Sequence, residues 1–185
     1  MRPHLSLCSL AAGDLQEEAL ALFRELGSRL GQANALLALG RVRYVSGQYA
    51  AAGDLHEQAL ALYRDVGDLH GEAEVLNSMG ALVAETVGPG DGLAVYQQAL
   101  LLAREVAAPL EEAGALEGAA HCQQRIGNRE TALVNLREAV AIYQRLGVPE
   151  AKPAADLLTS LEAEAPDSPR GEHTVRPTTR NRPGD

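Results

Sequence analysis

Apolar side chains recur along this chain with a helical spacing, and the whole pattern recurs every 40 residues. In the first copy, Leu15, Ala19, Leu22, Phe23 and Leu26 follow the i, i+3, i+4, i+7 spacing of one helix face. The most regular segments read ALALFR at 19–24, ALALYR at 59–64, ALLLAR at 99–104 and AVAIYQ at 139–144. A repeat of this length is typical of solenoids, in which each unit completes the core of the next.

A second set of small and apolar positions recurs at the same 40-residue offset. It comprises Ala33, Ala73 and Ala113, then Leu36, Leu76 and Leu116, and finally Gly40, Gly80 and Ala120. The spacing within this set is also helical, so each unit contains two helices. We call the helices of the second set A helices and those of the first set B helices. The small residues at 40, 80 and 120 predict a close approach of two helices.

The two patterns together predict the helices and the domain organisation. We expect B helices at about 12–26, 49–66, 91–106 and 129–146, and A helices at about 30–45, 70–86 and 110–125. Glycines such as Gly27, Gly67 and Gly147 are expected just after the C-terminal ends. The chain then divides into an N-terminal segment 1–10, repeats over 11–150, a capping helix 151–163 and a disordered tail 164–185. Within the repeats lie a B helix at 11–27 and three helix pairs at about 30–66, 70–106 and 110–146.

These residues resemble the tetratricopeptide repeat. The resemblance rests on Leu36 followed by Leu39-Gly40 in the A helix, on Gly47 in the turn, and on small or apolar positions in the B helix, namely Tyr49, Ala52, Ala59 and Leu60. It implies an all-α fold, a right-handed α-solenoid of antiparallel helix hairpins. It also implies a protein-binding scaffold that is not an enzyme.

The joint between the first two helix pairs resembles a narrower group. Residues 64–73 read RDVGDLHGEA, similar to the repeats at the C-terminal end of bacterial SARP and LuxR-type transcriptional regulators. This resemblance implies the regulatory part, or a stand-alone relative, of such a regulator.

The resemblance also implies where a partner would bind. In tetratricopeptide repeats a peptide lies on the concave face formed by the A helices. The corresponding residues here are Asn34, Leu37, Arg41, Tyr44, Glu74, Asn77, Glu117, His121 and Gln124, with the small residues Ala81, Ala84 and Gly114 between them. Their mixture of donors, acceptors and one aromatic ring suits a peptide groove. The family's basic clamp for a C-terminal carboxylate is missing, because Leu37, Asn77 and Glu117 occupy positions that it needs.

Composition and charge narrow the classes of partner and of chemistry. The net charge of −9 gives no basic surface for a phosphate backbone, so we expect no direct nucleic-acid binding. Two cysteines make no disulfide framework, and no apolar stretch is long enough to span a membrane, so we expect a cytoplasmic protein. Neither His4 with Cys8 nor the adjacent His121 and Cys122 has further ligands at metal-binding spacing, and we expect no metal and no cofactor.

Two further observations leave alternatives open. The glycine-rich segment 88–92 lacks the Lys-Ser/Thr of a phosphate-binding loop and is interpreted as a turn. The first B helix has no A helix before it, and Leu20 is left over once Leu15, Leu22, Phe23 and Leu26 face the next hairpin. That edge could pair two chains in a homodimer, so self-association is one alternative function. A small-ligand sensor or an enzyme with a site in the groove is the other.

Overall fold

The computed structural model describes residues 3–163, and it describes side chains from Gly13 onward. This part of the chain contains eight α-helices and no strand: α1 (Pro3–Glu25), α2 (Arg29–Val45), α3 (Tyr49–Val66), α4 (Leu69–Thr86), α5 (Pro89–Glu105), α6 (Pro109–Ile126), α7 (Arg129–Leu146) and α8 (Ala151–Ala163). The predicted disordered tail, 164–185, lies outside the described residues. None of the helices in 3–163 is long and apolar enough to cross a membrane.

The helices form two layers because each packs antiparallel against the next. The A helices α2, α4 and α6 also contact one another, α2 with α4 and α4 with α6, whereas successive B helices α1, α3, α5 and α7 approach each other less. Closer spacing in one layer than in the other curves the stack. The A helices therefore line its inner face.

Short turns with suitable end residues set the helix boundaries. The Asp68 carboxylate accepts a hydrogen bond of 3.0 Å from the Gly71 N–H, capping the start of α4. Gly67 ends α3 in a left-handed conformation with φ of 72°, which glycine adopts at little cost. At the equivalent turn after α5, Ala107 takes φ of 53° without being glycine.

The core is built from small residues that let the helices come close. Ala33, Ala73 and Ala113 have no exposed surface, and neither do Ala59, Ala99 and Ala139 of the B helices. Larger side chains such as Leu36 and Leu116 fill the spaces between these contacts. The alternation of small and large residues gives close packing with few aromatic side chains.

The structure corrects the prediction for the first helix. α1 begins at Pro3 rather than near residue 11, so the first ten residues contribute most of their length to it. Leu20 is buried and packs in the core, whereas Leu15, Leu22 and Leu26 are 65, 52 and 76% exposed. The assignment of faces was therefore wrong for these four leucines, whereas Phe23 packs against the core as expected. α1 is the terminal helix of the described stack, and within residues 13–25 the row that contains Leu20 and Phe23 faces the neighbouring helix.

Candidate peptide-binding groove

Two adjoining depressions lie along the inner face, and apolar surface makes up most of the lining of both. We call them the polar depression, after Asn77 and Ser78, and the apolar depression, after the ring of Tyr96 and the small residues beside it. The polar depression has a volume of about 250 Å³ and is lined by Arg41, Tyr44, His56, Asn77, Ser78 and Ala81. Tyr44 and Ala81 also line the apolar depression, so the two share a wall. α2 and α4 supply most of the polar depression, and α3 supplies His56.

Arg41 forms an ion pair with a residue of the same chain. One guanidinium nitrogen, Nη1, lies 2.9 Å from a carboxylate oxygen of Glu74, and Nε donates to the Ser78 hydroxyl at 3.0 Å. Both contacts join α2 to α4. The guanidinium is held in place along one edge, and its Nη2 group remains for another acceptor.

His56 lines the polar depression from α3, a helix of the other layer, and its imidazole is neutral. Its side chain is 1% exposed, and its Nδ1 atom is buried with no hydrogen-bond partner among the described residues. Burial, and to a smaller extent the positive charge of Arg41, lower the pKa of His56 to about 4. Near neutral pH the ring carries no charge.

Asn77 lines the same depression, and its side-chain oxygen is a buried acceptor without a partner among the described residues. Its Nδ2 group donates to the main-chain oxygen of Glu111 in α6 at 2.8 Å, which fixes the orientation of the amide. The Oδ1 atom is buried, and no donor in residues 13–163 reaches it. A buried acceptor without a donor lowers the stability of the fold.

The apolar depression lies further along the groove, between α4, α5 and α6. It also has a volume of about 250 Å³, and it is lined by Tyr44, Ala81, Ala84, Glu85, Tyr96, Gly118, His121, Cys122 and Arg125. Burial raises the pKa of the Tyr96 hydroxyl and of the Cys122 thiol, so both stay protonated near neutral pH. A buried thiol of this kind is a poor nucleophile.

Charged side chains at the rim of the apolar depression are already engaged. Arg125 donates from Nη1 to the main-chain oxygen of Ala84 at 2.9 Å, and the same nitrogen lies 3.7 Å from a carboxylate oxygen of Glu85. Tyr44 packs at a tilt against Tyr49, with ring centroids 5.6 Å apart. The rim is thus polar, and the floor consists of rings and small apolar residues.

Comparison with known proteins identifies the architecture. Residues 9–65 match the family model of the tetratricopeptide repeat. BtubC (BKLC) from P. vanneervenii superposes with a TM-score of 0.70 at 16% identity, over 83% of this chain and 65% of that one. The fold is a tetratricopeptide-type solenoid. No curated protein sequence matches the chain.

Two Rap structures share this solenoid fold. The Rap protein complexed with Competence and Sporulation Factor has a TM-score of 0.76 at 19% identity, and the apo form of RapI has a TM-score of 0.68 at 15% identity. Each match covers 84% of this chain and 44% of the other. The chain thus spans less than half the length of these two proteins and about two thirds of BtubC.

The solenoid brings four of the nine predicted groove residues to the depressions. They are Arg41, Tyr44, Asn77 and His121. Glu74 lies behind Arg41 as its ion-pair partner, and Gln124 is half-buried but lines neither depression.

Three predicted residues serve the packing of the solenoid instead. Asn34 accepts a hydrogen bond of 2.7 Å from the Tyr63 hydroxyl, and Glu117 accepts one of 2.9 Å from the Tyr143 hydroxyl. Leu37 is 2% exposed and packs in the core with Leu76 of α4, so its prediction as a contact residue was wrong. Its apolar side chain is more stable at the contact of α2 with α4 than in water.

Sequence reasoning missed the contributions of the B helices to the groove. His56 and Tyr96 belong to α3 and α5, yet they line the depressions because Gly40 and Gly80 leave room for their rings. The signal was available: both rings follow the glycine of the preceding helix by 16 residues. Residues 13–163 hold no group of three or more His, Cys, Asp or Glu side chains suited to a metal ion.

Proposed function

We propose that this protein is an interaction scaffold whose inner groove binds an extended segment of a partner protein or peptide. The observation that carries the proposal is the pair of adjoining depressions with a common wall of Tyr44 and Ala81. Successive side chains on one face of an extended segment are about 6.8 Å apart, since each residue adds about 3.4 Å. Such a segment could place two neighbouring anchors in the two depressions.

The chemistry of the groove favours binding over catalysis. Cys122 is buried with a raised pKa, and His56 is neutral and covered, so neither is placed as a nucleophile or general base. The Rap protein, whose fold is similar, was solved in complex with the Competence and Sporulation Factor. This fold-level likeness supports a groove ligand but does not specify its sequence.

A variant that fills the shared wall tests the proposal. Peptides are selected from a random display library on the immobilised full chain, and their affinities are measured by calorimetry. Ala81→Trp should weaken binding at least about tenfold because the indole occupies both depressions. Ala61→Trp, on the exposed face of α3, should leave it unchanged. Failure to select any peptide, or equal affinity for both variants, would contradict groove binding.

We propose more specifically that the chain acts in the cytoplasm as the regulatory part, or as a stand-alone relative, of a bacterial transcriptional regulator. It is supported by the RDVGDLHGEA segment at 64–73, which resembles repeats of such regulators. The acidic chain would then act through a DNA-binding partner. Purification of the tagged chain from the cytoplasmic fraction of its native cells should recover a DNA-binding protein. If the Ala81→Trp variant recovers the same protein, the groove is not the contact surface.

The exposed face of α1 supports self-association as a second candidate function. Leu15 and Leu22 are 65 and 52% exposed, whereas Leu55 and Leu62, their equivalents one repeat later, are partly buried against the core. Sedimentation of the full chain should show a concentration-dependent dimer that Leu22→Glu abolishes. Leu101→Glu, which changes an exposed leucine of α5, is the matched control. A monomer at high concentration would exclude this candidate.

A further inference from the structure

Most polar atoms of the polar depression are bonded or covered, so its open surface is largely apolar. The Ser78 hydroxyl accepts from Arg41 Nε at 3.0 Å and donates to the main-chain oxygen of Glu74 at 3.4 Å. The Asn77 amide donates to the main chain of α6, and its own oxygen has no accessible surface. His56 is 1% exposed. A group that fills this depression therefore gains more from apolar contact than from hydrogen bonds.

Two planar groups of α2 line the depression. Arg41 and Tyr44 are three residues apart and so lie on the same face of the helix. The guanidinium is held by Glu74 and Ser78 of α4, yet 48% of the Arg41 side chain stays exposed. The Tyr44 side chain has surface in both depressions, and Ala81, the other residue of the shared wall, is small. Aromatic rings pack favourably against both phenol rings and guanidinium groups.

The depression is large enough for an aromatic ring. Its volume is about 250 Å³. A protein cavity of about 150 Å³ lined by apolar side chains already holds benzene. The depression lies on the inner face and is open to solvent, so a ring carried by a partner segment can enter it.

The charges near the two depressions favour a positively charged segment with an uncharged anchor. Arg41 pairs with Glu74, so a charged anchor would lose its hydration without meeting an unpaired opposite charge. Arg125 Nη1 lies 3.7 Å from a carboxylate oxygen of Glu85. Glu117, on the inner helix α6, has no cationic partner among the described residues. Since the whole chain carries a net charge of −9, basic residues beside the anchor are attracted to this face.

We propose that the polar depression binds the aromatic ring of one residue in a positively charged segment of the partner. The ring packs against Tyr44, Ala81 and Arg41, and the basic residues beside it remain in solvent over the acidic inner face. This inference rests on the proposed function, because it names the side chain that the groove selects.

Capped peptides that differ in one property test this selection. They are Arg-Gly-X-Gly-Arg, in which X is phenylalanine, leucine or alanine, and Glu-Gly-Phe-Gly-Glu. Each is titrated into the isotope-labelled full chain, and NMR follows the methyl group of Ala81 and the ring of Tyr44. The basic phenylalanine peptide should bind at least about threefold more tightly than the leucine peptide and at least about tenfold more tightly than the alanine peptide.

The acidic peptide tests the charge of the segment. It should bind at least about tenfold more weakly than the basic phenylalanine peptide at low salt, because it is repelled by the acidic chain. Equal or stronger binding of the leucine peptide overturns the aromatic anchor. Equal or stronger binding of the acidic peptide overturns the positively charged segment, and no saturable shift with any of the four overturns both.

Matched tyrosine variants test the contact with the ring. Tyr44→Leu replaces an aromatic wall by an aliphatic one, and it should lower the preference for phenylalanine over leucine at least about twofold. Tyr49→Leu is the control, because Tyr49 packs against Tyr44 but lines neither depression. An unchanged preference in Tyr44→Leu, or an equal fall in both variants, overturns the assignment.

A second pair of variants separates the two depressions. Ser78 lines only the polar depression, and His121 lines only the apolar one. Ser78→Phe fills the proposed site with a ring of the chain itself, so the basic phenylalanine peptide should bind at least about tenfold more weakly. His121→Phe should change its affinity by less than about twofold. The opposite order would place the anchor in the apolar depression and overturn the proposal. If Ser78→Phe does not fold, the tyrosine variants still decide.

The two proposals fail in different ways. Library peptides that bind in the groove without an aromatic residue, together with equal binding of the phenylalanine and leucine peptides, would contradict the aromatic anchor alone. Selective binding of the phenylalanine peptide without any peptide selected from the library would contradict the scaffold for an extended segment and leave the aromatic site standing.

Discussion

The imidazole ring of His56 lies against Gly40 so closely that a Cβ atom on the glycine would be 2.5 Å from the Cε1 atom of the ring. One repeat later, a Cβ on Gly80 would be 2.9 Å from two ring carbons of Tyr96. The third repeat replaces both members at once, with Ala120 and Leu136 in the same core cluster. The glycine and the ring are therefore one packing unit, and that unit brings two B-helix side chains to the groove.

Adding a methyl group to Gly80 should destabilise the protein. Gly80→Ala forces the buried ring of Tyr96 to move, and we expect a loss of about 1–3 kcal/mol in the free energy of unfolding. Gly90→Ala is the matched control, because a Cβ there meets nothing within 4 Å. Since alanine favours a helix over glycine, the control should be neutral or gain up to about 1 kcal/mol. Urea denaturation measures both.

A double mutant tests whether the ring causes the loss. Gly80→Ala with Tyr96→Leu reproduces the pair found in the third repeat, so the two changes should couple favourably by about 0.5–3 kcal/mol. Additive losses would show that the glycine is required for a reason other than the ring of Tyr96.

Acidification should destabilise the protein through His56. The folded-state pKa is about 4 against 6.5 for the free side chain, so the unfolded chain binds the proton first as the pH falls. The stabilisation is complete above pH 6.5 and is lost between pH 6.5 and 4, up to about 3 kcal/mol at about 1.4 kcal/mol per pH unit. The His56→Tyr variant carries the residue type that the next repeat has at Tyr96. Its free energy of unfolding should depend less on pH across this window. Parallel stability curves for the two proteins would refute the assignment.

Relieving the left-handed conformation of Ala107 should stabilise the protein. Ala107 takes φ of 53° at the turn where the other repeats have Gly27, Gly67 and Gly147. Ala107→Gly should raise the free energy of unfolding by about 0.5–1 kcal/mol, because glycine adopts this conformation without a Cβ clash. Ala61→Gly, within the exposed face of α3, should lower it by about the same amount. A loss of stability in Ala107→Gly would contradict the strain argument.

Neighbouring leucines of α1 should differ sharply in their contribution to stability. Leu20 is 6% exposed, and Leu20→Ala should cost about 2 kcal/mol or more. Leu22 is 52% exposed, and Leu22→Ala should stay within about 0.5 kcal/mol in the monomer. Thermal melts at low protein concentration compare the two. Equal effects would mean that α1 packs through a different face.

The sequence by itself determined the helix pairs and their order. The helices after α1 were located to within two residues at either end. The evidence was the recurrence of ALALYR-type segments and of the alanines at 33, 73 and 113, and it sufficed because helix periodicity and end residues are local properties. The same pattern failed at α1. Leucine occupies positions 15, 20, 22 and 26, so residue type does not show which of these side chains is buried. Only the position of α2 decides that.

Tertiary structure alone decided the make-up of the groove. Arg41 and Asn77 could be placed on the inner face from their positions in the A helices, but Leu37 at an equivalent position is buried. The ring of His56 reaches the groove from the other layer, over a glycine. Which buried atoms stay unpaired, such as Asn77 Oδ1, depends on contacts between residues more than 30 positions apart in the sequence, and no local pattern encodes their geometry.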